Sequence, residues 1–177
     1  PVLVHQSRVP NDVVALRIEG LVGLRVMFLL RQTKQLLSKT TQLKYRIKPA
    51  DLVESLNRNP YKFKFAKLSE LLGLDHQDDM KMYVLTNTEQ TYGSGLIVHD
   101  KVLRHILDTV GEDIYILPSS VHELIVIPSS VVDDESCLPH MVHEINQTTV
   151  ESKDRLSDDV YHVNYTTMKF RTIVYQE

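Results

Sequence analysis

Residues 82–128 read MYVLTNTEQTYGSGLIVHDKVLRHILDTVGEDIYILPSSVHELIVIP, four short apolar runs around one amphipathic segment, with turn residues between them. Met82, Tyr83, Val84 and Leu85 are apolar or aromatic, which suits a strand. Residues 87–95 gather Asn, Thr, Gly and Ser, the composition of a loop or hairpin, and Leu96, Ile97 and Val98 read as a second short strand. Asp100 can cap a helix by accepting from the N–H groups of its first turn. Val102, Leu103, Ile106, Leu107 and Val110 then recur at helical spacing, with Lys101, Arg104 and Asp108 on the other side. Gly111 stops that helix, because glycine takes the left-handed position after a last turn. Residues 114–117 and 124–127 are near-continuous apolar runs of strand length, joined by a turn at Pro118, Ser119 and Ser120. The expected order is strand, strand, helix, strand, strand.

Upstream, residues 13–18 (VVALRI) predict a strand that Glu19 and Gly20 break. Residues 21–39 predict a helix, apolar nearly all round in its first half, which points to burial against more than one neighbour. Pro49 suits the first position of a helix continuing to Leu56. Tyr61, Phe63 and Phe65 alternate with Lys62, Lys64 and Ala66, the pattern of a half-buried strand. The same pattern would serve as a basic-aromatic ribbon that stacks bases between phosphate contacts. Residues 68–72 predict a short helix ended by Gly73, and residues 75–79 an acidic link.

Downstream, Pro139 suits the first turn of a helix with Leu138, Met141, Val142 and Ile145 on its buried stripe. Residues 151–159 read as a charged loop, and residues 160–165 and 170–175 as strands. The fold class that follows is α+β: a mainly antiparallel sheet of hairpins covered by helices, centred on residues 82–127, with helices at 100–110 and 137–147. Residues 76–177 form the expected core domain. Residues 1–75 form a basic N-terminal portion of helix plus strands that can belong to the same domain.

Composition narrows the class further. Of 177 residues, 42% are hydrophobic and 24% charged, ordinary for a globular protein. No run of 18 apolar residues is present, so no membrane helix is expected, and no signal peptide is apparent. Cys137 stands alone and has no internal disulfide partner, which fits a reducing compartment. Charge is uneven: residues 1–70 carry 13 Lys and Arg against 5 Asp and Glu, whereas residues 71–177 carry 7 against 18. Mutual attraction of the two portions is the plain reading, and an anionic partner such as nucleic acid the sharper one.

Two clusters could carry chemistry. Ser119, Ser120, His122 and Glu123 juxtapose hydroxyl, imidazole and carboxylate, the groups of nucleophilic catalysis. Residues adjacent in a strand, however, point to opposite faces, and serine followed by glutamate also suits a cap or turn. His140, His143 and Glu144 lie within one helical turn, a spacing that metal sites use. They do not make the His-Glu-x-x-His zinc pattern or its inverse. Gly93, Ser94 and Gly95 are too few for a phosphate loop, and no cofactor pattern is present.

Met82 to Asn87, the segment from Asp113 to Glu123 (DIYILPSSVHE), Met141 to Asn146 and Leu156 to Tyr161 together resemble an uncharacterised bacterial family, domain of unknown function 5688. The resemblance covers about residues 80–163, and the segment LPSSVHE from Leu117 is its most specific part. It implies a cytoplasmic protein of gut-type bacteria and their mobile elements, and supplies no mechanism. Together these readings predict a non-catalytic interaction or regulatory module with a protein partner. Its rivals are a hydrolase or metal-dependent enzyme using the Ser-Ser-x-His-Glu segment, and nucleic-acid binding through the basic N-terminal portion.

Overall fold

The computed structural model describes residues 1–30, 32–58, 62–73, 81–118 and 120–176. The expectations at Tyr61, the 75–79 link and Ser119 lie outside these residues.

Three of the four apolar runs of the central stretch become strands of one antiparallel sheet. Its members are β4 (Phe63–Lys67), β5 (Tyr83–Asn87), β6 (Ile114–Leu117), β7 (Leu124–Pro128), β8 (Val160–Val163) and β9 (Phe170–Ile173). They lie in the order β4-β5-β7-β6-β8-β9. The register pairs Leu85 with Leu124, and Ile116 with both Val126 and Tyr161, so these residues line one face. Helix α4 (Asp100–Val110) closes that face with buried Val102, Leu103, Ile106 and Leu107. Tyr115, Leu117, Ile127 and Val160 line the opposite face, where α5 (Leu138–Thr148) adds Leu138 and Val142. All of β6 is buried because it is covered on both sides, which explains its unbroken apolar run.

A second, three-stranded sheet has the order β1-β3-β2, from β1 (Val2–His5), β2 (Ala15–Leu16) and β3 (Leu24–Met27). Leu3, Leu24 and Val26 enter the main apolar cluster, which therefore draws on both the N-terminal and the central residues. Val2, Val4 and Met27 form a separate cluster with Val13. Two helices connect the two sheets, α1 (Lys39–Lys44) and α2 (Pro49–Arg58), while α3 (Leu68–Leu72) links β4 to β5 within the larger sheet.

Several expectations are corrected. Residues 21–39 are not a helix. Gly23 sits at φ +81° and Lys34 at φ +58°, both left-handed, and β3 lies between two apolar clusters. A strand buried on both faces is apolar all round, just as a buried helix is, so the periodicity could not separate them. Gly93–Val98 is a 3-10 turn, so the strand expected over residues 96–98 does not form, and His99 rather than the expected Asp100 occupies the cap position of α4. The stop at Gly111 holds, with φ +86°. In β4, Phe65 stacks on Tyr83 at 5.0 Å and Phe63 meets the His105 ring edge-on at 5.2 Å. Those rings are thus spent on the fold.

Candidate functional site

His122 stands at the mouth of a cleft of about 1030 Å³, between the small sheet and the turns at 87–92 and 153–154. The floor is apolar: Val2, Val4, Met27, Leu29 and Leu36 come from the small sheet and its extension. Alternation along β1 produces this floor, since Leu3 enters the core while Val2 and Val4 face away from it. Tyr92, Asn87 and Thr91 supply polar wall, and Arg8, Lys34 and Lys153 supply cations.

The His122 turn is built by backbone accounting. Ser120 Oγ accepts the His122 N–H at 3.0 Å, a local serine turn. Thr86 Oγ donates to the His122 carbonyl at 3.0 Å, and the fully buried Ser94 Oγ donates to the Val121 carbonyl at 2.6 Å. Both donors tie the turn to the sheet and to the 3-10 segment. Gly93 is required here: a Cβ would sit 2.5 Å from the His122 carbonyl oxygen and 2.6 Å from the Asn87 nitrogen.

The imidazole is engaged at both nitrogens. Nδ1 accepts the Tyr92 N–H at 3.2 Å, so the neutral ring carries its proton on Nε2, which faces Asp154 Oδ1 at 3.3 Å. The Tyr92 ring lies 5.6 Å from the imidazole, tilted by 34°. Tyr92 holds φ +56°, and Lys34, on another wall of the cleft, φ +58°. Left-handed non-glycine residues are uncommon and persist only where surroundings hold them, so the cleft contains stored backbone strain.

The cations differ in how they are held. The Arg8 guanidinium donates to the Lys153 carbonyl at 2.7 Å and to the Ser152 carbonyl. Lys153 is paired with Glu151 at 2.8 Å, with both side chains 73% exposed. Among the described residues neither Arg8 nor Lys34 has a carboxylate at ion-pair distance.

The expected site residues distribute as follows. Ser120 and His122 meet only through the turn's backbone bond, and Glu123 is exposed. On α5, His143 Nδ1 lies 2.8 Å from Asp158 Oδ2 and its ring stacks on Tyr175 at 4.5 Å. His140 meets the same tyrosine edge-on at 5.1 Å, and Glu144 is exposed. Among the described residues no three His, Cys, Asp or Glu side chains gather as they would around a metal ion. Sequence reasoning missed Asp154, Tyr92, Arg8 and Lys34. They lie up to 146 positions apart, and no local pattern marks them.

A third pair, His162 Nε2 with Asp113 Oδ2 at 3.2 Å, sits beside the Tyr115 ring. Asp113 also accepts the Tyr165 N–H at 2.7 Å, which locks the β8–β9 hairpin. Burial and the Glu135 carboxylate beside it push the Tyr115 phenol up to about 12. The hydrogen bond from Arg171 holds Glu135 below the usual carboxylate range. This network fastens an edge of the sheet.

No described helix is long and apolar enough to cross a membrane. Neither a curated protein nor a solved structure matches the chain. One family does match, over residues 29–165, which takes in β4 to β8, all of α4 and α5, and the whole His122 turn. The match begins well upstream of the LPSSVHE segment and covers most of the sequence: the chain belongs to the family of unknown function DUF5688.

Proposed function

We propose that this protein is a non-catalytic interaction module of the bacterial cytoplasm that binds a protein partner through the His122 cleft. One observation carries the reading: the His122 imidazole is fully committed, taking the Tyr92 N–H at Nδ1 and offering its Nε2 proton to Asp154. A general base needs a free lone pair aimed at the proton it removes. The Ser120 oxygen accepts the His122 N–H of the same turn rather than bonding the imidazole, and the Ser94 hydroxyl donates to the Val121 carbonyl. A half-apolar cleft with cations at its rim is instead suited to holding a ligand.

The test is affinity capture from cytosol of the native host with wild type and Tyr92→Asn. Asparagine tolerates the left-handed backbone, so the variant removes the ring and keeps the turn. A protein recovered by wild type and lost by the variant is the expected result. Equal recovery by both, or no recovery, overturns the reading. A hydrolase acting through Ser120, His122 and Glu123 would instead turn over ester or peptide substrates and lose that turnover in Ser120→Ala.

A further inference from the structure

We infer that the segment the cleft receives is an apolar-acidic peptide stretch of the partner, its aliphatic side chains on the valine-methionine floor and its carboxylates on Arg8 and Lys34. This rests on the interaction reading above and names the chemistry of the partner. Three observations carry it. The floor is aliphatic: Val2, Val4, Met27 and Leu36 line it, and the rings among the described lining residues are one tilted pair on the wall, Tyr92 and His122. A nucleic-acid strand would need successive ring faces on which to stack its bases.

The cations at the rim are available. The Arg8 guanidinium is fixed by two carbonyl oxygens, which position it without neutralising it, and Lys34 is exposed with no carboxylate partner among the described residues. Of the acids that line the cleft, Asp154 faces His122, and Glu89 is exposed and makes no ion pair with Arg8 or Lys34, so three cations stand against two carboxylates. A fixed guanidinium is preorganised for a carboxylate, so little rotamer freedom is lost on binding.

The size favours a chain over a small molecule. Pockets for small ligands run from about 300 to about 1,000 Å³ and enclose most of the ligand. This cleft, at about 1030 Å³, lies at the top of that range and is open along one side. Covering its length takes several residues, and a peptide alternating apolar and acidic side chains would meet floor and rim together.

The experiment is selection from a random nonapeptide phage library against the full chain. Chosen peptides are then made with a fluorescent label and titrated by polarisation. The expected peptides are net acidic with two or more aliphatic residues. Their Kd is expected to rise about tenfold or more in Lys34→Glu and further in Arg8→Glu with Lys34→Glu, and to weaken with added salt. Lys34→Glu alone guards against misfolding, because among the described residues that ammonium has no hydrogen-bond or ion-pair partner. Enriched peptides that are basic or uncharged, affinities unmoved by charge reversal, or dodecanoate binding with no peptide enriched would each overturn the inference. If Tyr92→Asn still abolishes capture of the host partner, such a result removes the acidic chemistry alone. If capture is indifferent to Tyr92, the interaction reading itself is lost.

Discussion

His122 is held by the fold at every polar atom. Its carbonyl, amide and both ring nitrogens are each satisfied by a different part of the chain, from Thr86 to Asp154. The turn therefore leaves no room beside it. Gly93→Ala would place a methyl against two backbone groups at 2.5 and 2.6 Å, neither of which can swing aside. The expected cost is about 1–3 kcal/mol of unfolding free energy, the range for forced overpacking, read from a urea melt. The same variant is expected to weaken capture of the partner, since the displaced atoms carry the imidazole. A melt superimposable on wild type would refute the close approach.

At the scale of elements, α4 is the keystone of the larger sheet's inner face. Ile106 and Leu107 are wholly buried there. Ile106→Ala is expected to cost about 2–5 kcal/mol, the transfer loss plus the cavity left behind, measured by denaturant titration. The outer edge depends on polar groups instead. Arg171 donates two bonds to Glu135, at 2.9 and 2.8 Å, but its side chain is 53% exposed. Water and salt screen such a pair, so Arg171→Ala is expected to shift stability by less than about 1 kcal/mol. A loss several times larger would mean that the bidentate pair anchors β9.

At the scale of the whole molecule, His99 joins α2 to α4. Its ring is 3% exposed, and Nδ1–H donates to the Leu56 carbonyl at 2.6 Å. Burial drives its pKa down from 6.5 to about 4, while the bond to Leu56 pulls the other way. The unfolded chain takes up a proton as pH falls through 6.5, and the folded protein does not until about 4. Stability is therefore complete above the upper value and is lost through that window, by on the order of 3 kcal/mol. His99→Asn keeps a donor for Leu56 and does not titrate. Unfolding free energies of the two proteins should diverge as pH falls from 7 to 4, the wild type losing more. Parallel curves would show that His99 is not buried neutral.

From residue 82 onward the sequence determined most of the elements, the 3-10 turn at Gly93–Val98 excepted. The periodicity of α4, its glycine stop, the paired apolar runs of β6 and β7, and the span of α5 are local signals, and each became the expected element, although on α5 Leu138 and Val142 are buried while Met141, expected beside them, is exposed. Residues 21–39 were illegible for the opposite reason: a segment buried on two sides loses its period, and only the neighbours reveal whether it is helix or strand. The cleft was beyond the sequence altogether. Asp154, Tyr92, Arg8 and Lys34 acquire meaning by lining one cleft with His122, and convergence across so many positions is set by how two sheets pack. Short-range pattern fixes what each segment becomes, because side chains alternate or wind with a local period. Which polar groups then face one another depends on long-range packing, and that alone decided this site.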